Sequence, residues 1–293
     1  MYTIKRAAEL TGVAVATLRA WERRYGIGTP SRTNSGYRLY DEQAISDINA
    51  MHHLIGQGWA PKQAAEEVAA RRSRVRAAYA EPSPDLEQQI TEIRAQILDA
   101  ARAMDEVALM QALDQLFSRA SFEHVVDNWL TPLMHDIGDQ WQAGNLDIAG
   151  EHFVSNAVMR RLGVAFEGAP LPPRGPMVLV GMSENNYHEI GSLAFATAAR
   201  RIGLGALYLG AHIPTAAWRS AVDAHTASAI VLSVVLANDV VKTQEIIDEL
   251  SRSHPELVIA VGGQMNKELT GPILRFEGGI GASAAMLAKR LMG

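Results

Sequence analysis

The sequence predicts a multidomain chain in which two helical sections precede an α/β section with a parallel sheet. Up to about residue 167, apolar residues recur three or four positions apart, which is the spacing of one helix face. From residue 177, apolar runs of strand length alternate with helical patterns, which is typical of βαβ units. Proline-dense stretches at 81–84 and 168–176 indicate linkers between the sections.

Composition and charge exclude several classes of protein. The absence of cysteine rules out disulfides, thiolate metal sites and a cysteine nucleophile. No signal peptide is evident and no apolar run is long enough to span a bilayer, so we expect a cytoplasmic protein with no membrane segment. Residues 1–76 contain 12 Lys and Arg against 7 Asp and Glu, whereas the remainder contains 15 against 25. A basic segment on an acidic chain predicts a polyanionic partner for that segment.

The first section has the outline of a helix-turn-helix. Helices are predicted for 2–13 and 14–25, with a turn at Thr11-Gly12, and a turn-rich stretch follows at 30–40. Asp41 should cap the next helix. Together these features resemble the MerR family of winged helix-turn-helix transcription factors. The matching residues are Leu18, Arg19, Trp21, Glu22 and Tyr25 in the second helix, and Arg32, Gly36, Tyr37, Arg38, Leu39 and Tyr40 in the wing.

The resemblance to MerR-like regulators implies that this section binds double-stranded promoter DNA. Arginine suits the task because it can bind either a guanine edge or a backbone phosphate. Such regulators usually bind as dimers, and the helical stretch 62–79 could connect two copies. Leu18, Trp21 and Leu39 are expected in the core. The residues expected to contact DNA are Thr17, Arg19 and Arg23 or Arg24 in the helix, and Arg32, Tyr37 and Arg38 in the wing.

The third section should form a parallel sheet, with strands at 177–182, 205–209, 229–235 and 257–261. Helical patterns lie between and after them, at 191–202, 214–224, 240–252 and 281–292. In such folds ligands bind beyond the carboxyl ends of the strands. The first of these ends carries a stretch with a single histidine, Asn185–Ser192.

That stretch resembles the Asp/Glu-x-His-x-x-Gly signature of cobalamin-binding Rossmann-like modules, with Asn186, His188 and Gly191 at its three positions. Two further landmarks follow, a serine at the end of a middle strand, Ser233, and the pair Gly262-Gly263 after a later strand. The resemblance implies that His188 ligates cobalt from the lower face and that the cobalamin tail enters the sheet beside the other landmarks. Neutral imidazole is a good ligand for such a metal, and glycine lets a bulky ligand approach the backbone.

One position departs from this signature. The usual acid two residues before the histidine is Asn186, which can hydrogen-bond but carries no charge. Loss of such a partner commonly costs about 10–100-fold in metal affinity. Two alternatives therefore stay open: regulation without cobalamin, and sensing through another tetrapyrrole, a bilin or haem, touched by His188, His212 or His152. An enzyme or corrinoid carrier ranks last because no nucleophile–base pair is evident, so we expect a regulator and not an enzyme.

The middle section favours one of these interpretations. Trp141 is followed, after nine residues, by Glu151 and His152. This pattern resembles the helical cap of cobalamin-dependent photoreceptor regulators of the CarH/LitR type, and with the other sections the resemblance covers nearly the whole chain. Gly144-Asn145 should form a turn that folds Glu151 back towards Trp141, and Asp147 should cap the following helix.

The resemblance to these photoreceptors implies a light-responsive repressor. Adenosylcobalamin would bind between the cap and the Rossmann-like domain, with Trp141 over its upper face and Glu151 at the adenosyl group. Light would break the cobalt–carbon bond, the cap would shift, and His152 would reach cobalt from above. A dark homo-oligomer, dimer or tetramer, would then dissociate and leave the promoter.

The sequence thus predicts three domains. The first is an all-α winged helix-turn-helix domain, the second a four-helix-bundle cap, and the third an α/β Rossmann-like domain of the flavodoxin-like type. Their expected boundaries are 1–76, 85–167 and 177–293, with linkers at 77–84 and 168–176.

Overall fold

The computed structural model describes residues 2–32, 38–56, 58–78, 84–169, 171–172 and 175–292, with the backbone alone at 31–32, 42–43, 71–78 and 84. The chain forms two compact units, Met1–Ala80 and Glu81–Gly293. The second unit contains both the helical section and the sheet section that the sequence predicts as separate domains, and the predicted boundaries remain a prediction. Among the described helices, none combines the length and the apolar character needed to cross a bilayer.

The first unit is mainly helical. Helix α1 (Ile4–Thr11) ends where Gly12 takes a φ of 66°, and α2 (Val15–Tyr25) ends where Gly26 takes a φ of 68°. Both values lie in the left-handed region, which glycine adopts without a Cβ clash, so each glycine stops its helix. Two longer helices follow, α3 (Glu42–Gly56) and α4 (Pro61–Ala78). The predicted cap is confirmed, because Asp41 Oδ1 accepts a hydrogen bond from the Ala44 amide at 2.7 Å.

A small antiparallel sheet accompanies these helices. Strands β1 (Tyr2–Thr3), β2 (Ser31–Arg32) and β3 (Arg38–Tyr40) pair in the order β1-β3-β2. The expectation of an all-α domain did not include this sheet, because its two- and three-residue strands are too short to show an alternating pattern. Tyr40 is fully buried, and it packs with Leu18 and Trp21, which are core residues as predicted.

The second unit begins with the predicted helical bundle. Ile90, Ile93 and Ile97 recur on one face of the first helix and are all buried in its core. A turn of π-helix, Val126–Leu130, joins two of the helices into one run. The helices are α5 (Pro84–Ala103), α6 (Glu106–Ser118), α7 (Phe122–Val125), α8 (Thr131–Gln142) and α9 (Ile148–Gly168).

A five-stranded parallel sheet completes the second unit, in the order β5-β4-β6-β7-β8. In chain order this is 2-1-3-4-5, the flavodoxin-like arrangement, so the expected fold class is confirmed. Its strands are β4 (Met177–Ser183), β5 (Gly205–Ile213), β6 (Ala229–Ser233), β7 (Val258–Gly262) and β8 (Ile273–Arg275). Its helices are α10 (Glu189–Arg201), α11 (Thr215–His225), α12 (Asp239–Ser253) and α13 (Ile280–Met292).

The strand order places the site. The direction of chain progression reverses between β4 and β6, and ligands of such sheets bind at the carboxyl ends of the strands at this switch point. The loop with His188 leaves β4 there, and Ser233 ends β6 beside it. The bundle packs against the sheet section through α9, which lies against α10.

Candidate functional site

Asn186 fixes the loop that follows β4. Its side chain is fully buried, and its Nδ2 donates to the carbonyl of Ser233 at 2.8 Å. Its Oδ1 accepts from the backbone amide of His188 at 3.1 Å. The side chain therefore uses a donor and an acceptor to tie the loop to the end of β6. A carboxylate could make only the second of these bonds, because it has no donor when ionised.

His188 is exposed at the N-cap position of α10. Its backbone is held by Asn186, but among the described residues none donates to or accepts from its imidazole. The ring is thus available to a ligand at the switch point. Within the described residues there is no group of three or more His, Asp or Glu side chains arranged to hold a metal ion. One free imidazole suits an axial bond to a metal that a macrocycle already holds, because such a metal needs no further protein ligands.

The surroundings of His188 leave room for a large ligand. A Cβ built on Gly191 would meet no atom within 4 Å, so packing inside the protein does not require glycine there. Tyr187, the residue before His188, is 64% exposed, so its side chain does not fill this space. These observations fit the cobalamin that the signature implies.

The landmarks on β6 and β7 lie beside this loop. Ser233 and Gly262 are paired at the carboxyl edge of the sheet. Gly263 has a φ of 96°, and a Cβ there would lie 2.2 Å from the carbonyl oxygen of Val234. Close backbone packing alone therefore requires glycine at 263, and the residue is not independent evidence for a ligand. At Gly262 a Cβ would make only ordinary contact with Phe276, at 3.6 Å.

A tyrosine that the sequence analysis did not single out supports the start of α10. Tyr208 on β5 donates its hydroxyl proton to Glu189 Oε2 at 2.6 Å. Burial, followed by this hydrogen bond, raises the pKa of the Tyr208 hydroxyl well above its usual value. The phenol therefore stays protonated and remains a donor. No local sequence motif predicts the contact between Tyr208 and Glu189, because the two residues are separated by the whole of α10.

The bundle presents the second group of predicted residues. Trp141 lies in the last turn of α8 and is 44% exposed. Gly144 then takes a φ of 73°, and Asp147 caps α9 by accepting from the Gly150 amide at 2.6 Å, as predicted. In the first turns of α9, Glu151 accepts from Ser155 Oγ at 2.6 Å, and its other oxygen lies 2.5 Å from His152 Nδ1. His152 Nε2 is left without a partner among the described residues.

One contact relates α8 to the carboxyl edge of the sheet. Gln264 follows the Gly262-Gly263 pair, and its Nε2 lies 3.3 Å from His135 Nε2 on α8. His135, on the helix that ends in Trp141, therefore lies at the edge that also carries Ser233. A separate open cavity of about 530 Å³ lies on the bundle between Glu106 and Arg160, and it includes none of the predicted cofactor residues. We place the site at the sheet edge because the unpaired imidazole lies there.

The residues predicted to contact DNA belong to the first unit. Arg19, Arg23 and Arg24 are exposed on α2, and Thr17 is half-buried on the same helix. Arg38 donates from Nε to Glu22 Oε2 at 3.1 Å, so the wing is tied to α2. Its remaining guanidinium N–H groups are still suited to a phosphate. Tyr37 lies outside the described residues, and for Arg32 only the backbone is described.

Comparisons with known proteins extend these observations. Residues 2–70 match the family described as MerR HTH family regulatory protein, and residues 93–165 match the family described as B12 binding domain. The chain is 32% identical over 265 residues to the HTH-type transcriptional repressor CarH of Myxococcus xanthus, over 89% of this chain and 88% of that protein. It is 27% identical over 262 residues to the HTH-type transcriptional repressor CarA of the same organism, over 89% and 85%.

The fold also resembles that of a solved structure. The monomethylamine corrinoid protein of Methanosarcina barkeri superimposes with a TM-score of 0.56 at 13% identity, over 68% of this chain and 99% of that chain. At this identity the likeness concerns the fold alone. The sequence relatives are named as transcriptional repressors, which confirms the expectation of a regulator and not an enzyme.

Proposed function

Because the chain belongs to the family of B12-binding, MerR-type transcriptional repressors that includes CarH, we propose that it represses transcription in the dark through bound adenosylcobalamin and releases its promoter in light. The first unit is a DNA-binding regulatory domain, and the second contains a B12-binding domain. The adenosyl form, the response to light and a cytoplasmic location belong to the proposal.

The observation that carries the proposal is the state of His188. Its backbone is fixed by Asn186, while its imidazole is exposed and has no hydrogen-bond partner among the described residues. His188 would hold cobalt through this imidazole. Gly191 would leave room for the corrin, and Ser233, Gly262 and Gly263 would border the nucleotide tail. Asn186 acts on this ligand through the loop backbone, since its side chain already bonds Ser233 and the His188 amide.

The bundle would supply the opposite wall. Trp141 offers an exposed indole at the end of α8, and it would cover the adenosyl group and exclude water. Glu151 would accept hydrogen bonds from that group. Glu151 also contacts Nδ1 of His152, so Nε2 would be the nitrogen with which His152 could hold cobalt. When bound, adenosylcobalamin supplies a cobalt–carbon bond that light breaks.

Light would affect DNA binding through the oligomeric state of the protein. We propose that the dark protein is a dimer or tetramer whose paired first units bind double-stranded promoter DNA together. Thr17, Arg19 and Arg23 or Arg24 would read the major groove from α2, while Arg32, Tyr37 and Arg38 would hold the backbone. The domain boundaries predicted from the sequence, with linkers at 77–84 and 168–176, are part of this proposal.

The test uses the full-length protein loaded with adenosylcobalamin in the dark. DNA is first selected from random duplexes by this dark protein, and both the mass of the assembly and the retained DNA are measured before and after green light. We expect light to lower the mass and to release DNA. Protein loaded with aquacobalamin, which has no cobalt–carbon bond to break, is the control and should not respond. Absence of bound cobalamin would overturn the proposal and direct attention to a bilin, haem or ligand-free regulation.

A further inference from the structure

A second histidine faces the His188 loop from the neighbouring strand. His212, near the end of β5, accepts a hydrogen bond at Nδ1 from the Asn185 amide at 2.9 Å. Its own amide donates to the Asn186 carbonyl at 3.1 Å. Its ring stacks on Tyr187, with centroids 5.5 Å apart and planes 10° apart. Three consecutive residues before His188 are thus held by one side chain and its backbone.

The hydrogen bond to Asn185 fixes the chemical form of this imidazole. A backbone amide can only donate, so Nδ1 carries no proton and the ring proton lies on Nε2. The lone pair of Nδ1 is engaged and Nε2 is protonated. In this form neither nitrogen of His212 can ligate a metal, in contrast to the free imidazole of His188.

The backbone of β5 is distorted to bring His212 into this position. The pairing of β4 with β5 is irregular between Val180 and Ser183, and Gly210 and His212 take φ values of 86° and 55°. Asn185 is also left-handed, with a φ of 67°. Non-glycine residues in this region are strained and persist only where surrounding contacts hold them. Bulges of this kind commonly re-aim side chains next to functional sites.

We infer that His212 is a positioning residue, which holds the Asn185–Tyr187 segment so that the imidazole of His188 is presented to cobalt in one orientation. The inference rests on the proposed function. Asn186 anchors the loop to β6 on one side, and His212 anchors it to β5 on the other. His188 itself lacks a charged partner at the signature position, so its orientation depends on these backbone anchors.

Two substitutions distinguish the effect of losing the hydrogen-bond acceptor from the effect of changing the backbone conformation at residue 212. His212→Gly relieves the positive φ but removes the acceptor and the ring. His212→Asn tolerates the positive φ and offers Oδ1 as a replacement acceptor for the Asn185 amide. We expect affinity for adenosylcobalamin in the dark to fall about 10-fold or more in His212→Gly, and to recover largely in His212→Asn.

An absorbance measurement distinguishes an effect on the position of the His188 imidazole from a general loss of protein stability. Adenosylcobinamide lacks the dimethylbenzimidazole tail, so its absorbance reports whether the protein supplies a nitrogen ligand to cobalt. At saturation, the wild-type and His212→Asn proteins should give the nitrogen-ligated spectrum, and His212→Gly should give mainly the unligated one. An unchanged spectrum and affinity in His212→Gly would overturn the inference.

Hydrogen exchange in the free protein tests whether His212 holds the loop, independently of whether the protein binds cobalamin. His212→Gly should speed exchange at the Asn185 and His188 amides, while His212→Asn should leave both protected. If the wild-type protein bound no corrinoid, the proposed function would fail. Unchanged protection in His212→Gly would show instead that His212 does not hold the loop, whatever the protein binds.

Discussion

The carboxylate of Asp127, on the helical bundle, caps the first turn of α13 in the sheet domain. Its Oδ1 accepts from the Ile280 amide at 2.6 Å, and its Oδ2 accepts from the Gly281 amide at 3.3 Å. A Cβ on Gly279 would lie 2.5 Å from Oδ2, so glycine there makes room for the carboxylate. The negative charge also meets the positive end of the helix dipole. This cap joins the bundle to the sheet domain far from any motif of the chain.

Asp127→Ala should destabilise the second unit. Loss of a helix cap costs about 0.5–2 kcal/mol. Here it also removes the hydrogen bonds that join the bundle to α13. The measurement is the free energy of unfolding in urea, followed by circular dichroism. Asp139→Ala is the matched control, since Asp139 is an exposed carboxylate on α8 whose side chain has no hydrogen bond among the described contacts. Equal effects of the two substitutions would contradict the capping role.

Gly191→Ala should change stability and ligand binding in opposite directions. In the free protein the new methyl group enters open space on a helix, so unfolding should require about 0.5 kcal/mol more. If cobalamin occupies that space, the same methyl group should weaken its binding. Thermal unfolding of the free protein and a titration with adenosylcobalamin in the dark measure the two effects. Gain of stability without loss of affinity would show that the corrin does not lie over Gly191.

Asn186→Asp restores the usual acid of the signature, but it should lower the free energy of unfolding. The aspartate loses the donor to the Ser233 carbonyl and buries a charge in its place. An unpaired buried polar group costs about 1–3 kcal/mol, and more when charged. Urea unfolding at neutral pH checks this result. Asn185→Asp, at an exposed neighbouring position, is the control and should have little effect.

Arg19→Ala should weaken binding to the selected DNA by about 1–3 kcal/mol if Arg19 reads a base, and should relax the sequence preference at that position. Arg252→Ala removes the same charge from an exposed ion pair in the second unit and serves as the control. Fluorescence anisotropy at fixed salt measures both affinities. A uniform loss for every DNA sequence would assign Arg19 to the phosphate backbone.

The long apolar runs predict the strands of the sheet, but they do not predict the irregular end of β5. Strand β4 was expected at 177–182 and spans Met177–Ser183. Strand β5 was expected to end at 209 but continues to Ile213, because bulges and positive φ values carry it through Gly210 and His212. Local sequence there resembles a loop, so only pairing with β4 shows the strand. The three-residue strand β8 had no detectable pattern at all.

The candidate site was predictable as a set of residue types but not as a set of contacts. Signature spacing led to His188, Gly191 and the Trp141 pattern. The bond from Asn186 joins residues 47 positions apart, and the Asp127 cap joins residues 153 positions apart. Such partners are set by the packing of elements, so no local pattern could assign them. The sequence shows the departure at Asn186, whereas the two hydrogen bonds by which its side chain joins the loop to β6 depend on the packing of the sheet.

The most direct test of the account is whether the nitrogen of His188 binds cobalt. Protein grown with ¹⁵N-labelled histidine is loaded with cob(II)alamin without oxygen, and its electron paramagnetic resonance spectrum is recorded. Coordination by a labelled imidazole splits each cobalt line into a doublet, and we predict doublets that disappear in His188→Ala. Triplets in the wild-type protein would mean that the cofactor keeps its own ¹⁴N base, and doublets that persist in His188→Ala would assign the ligand to another histidine. Either result would contradict the account.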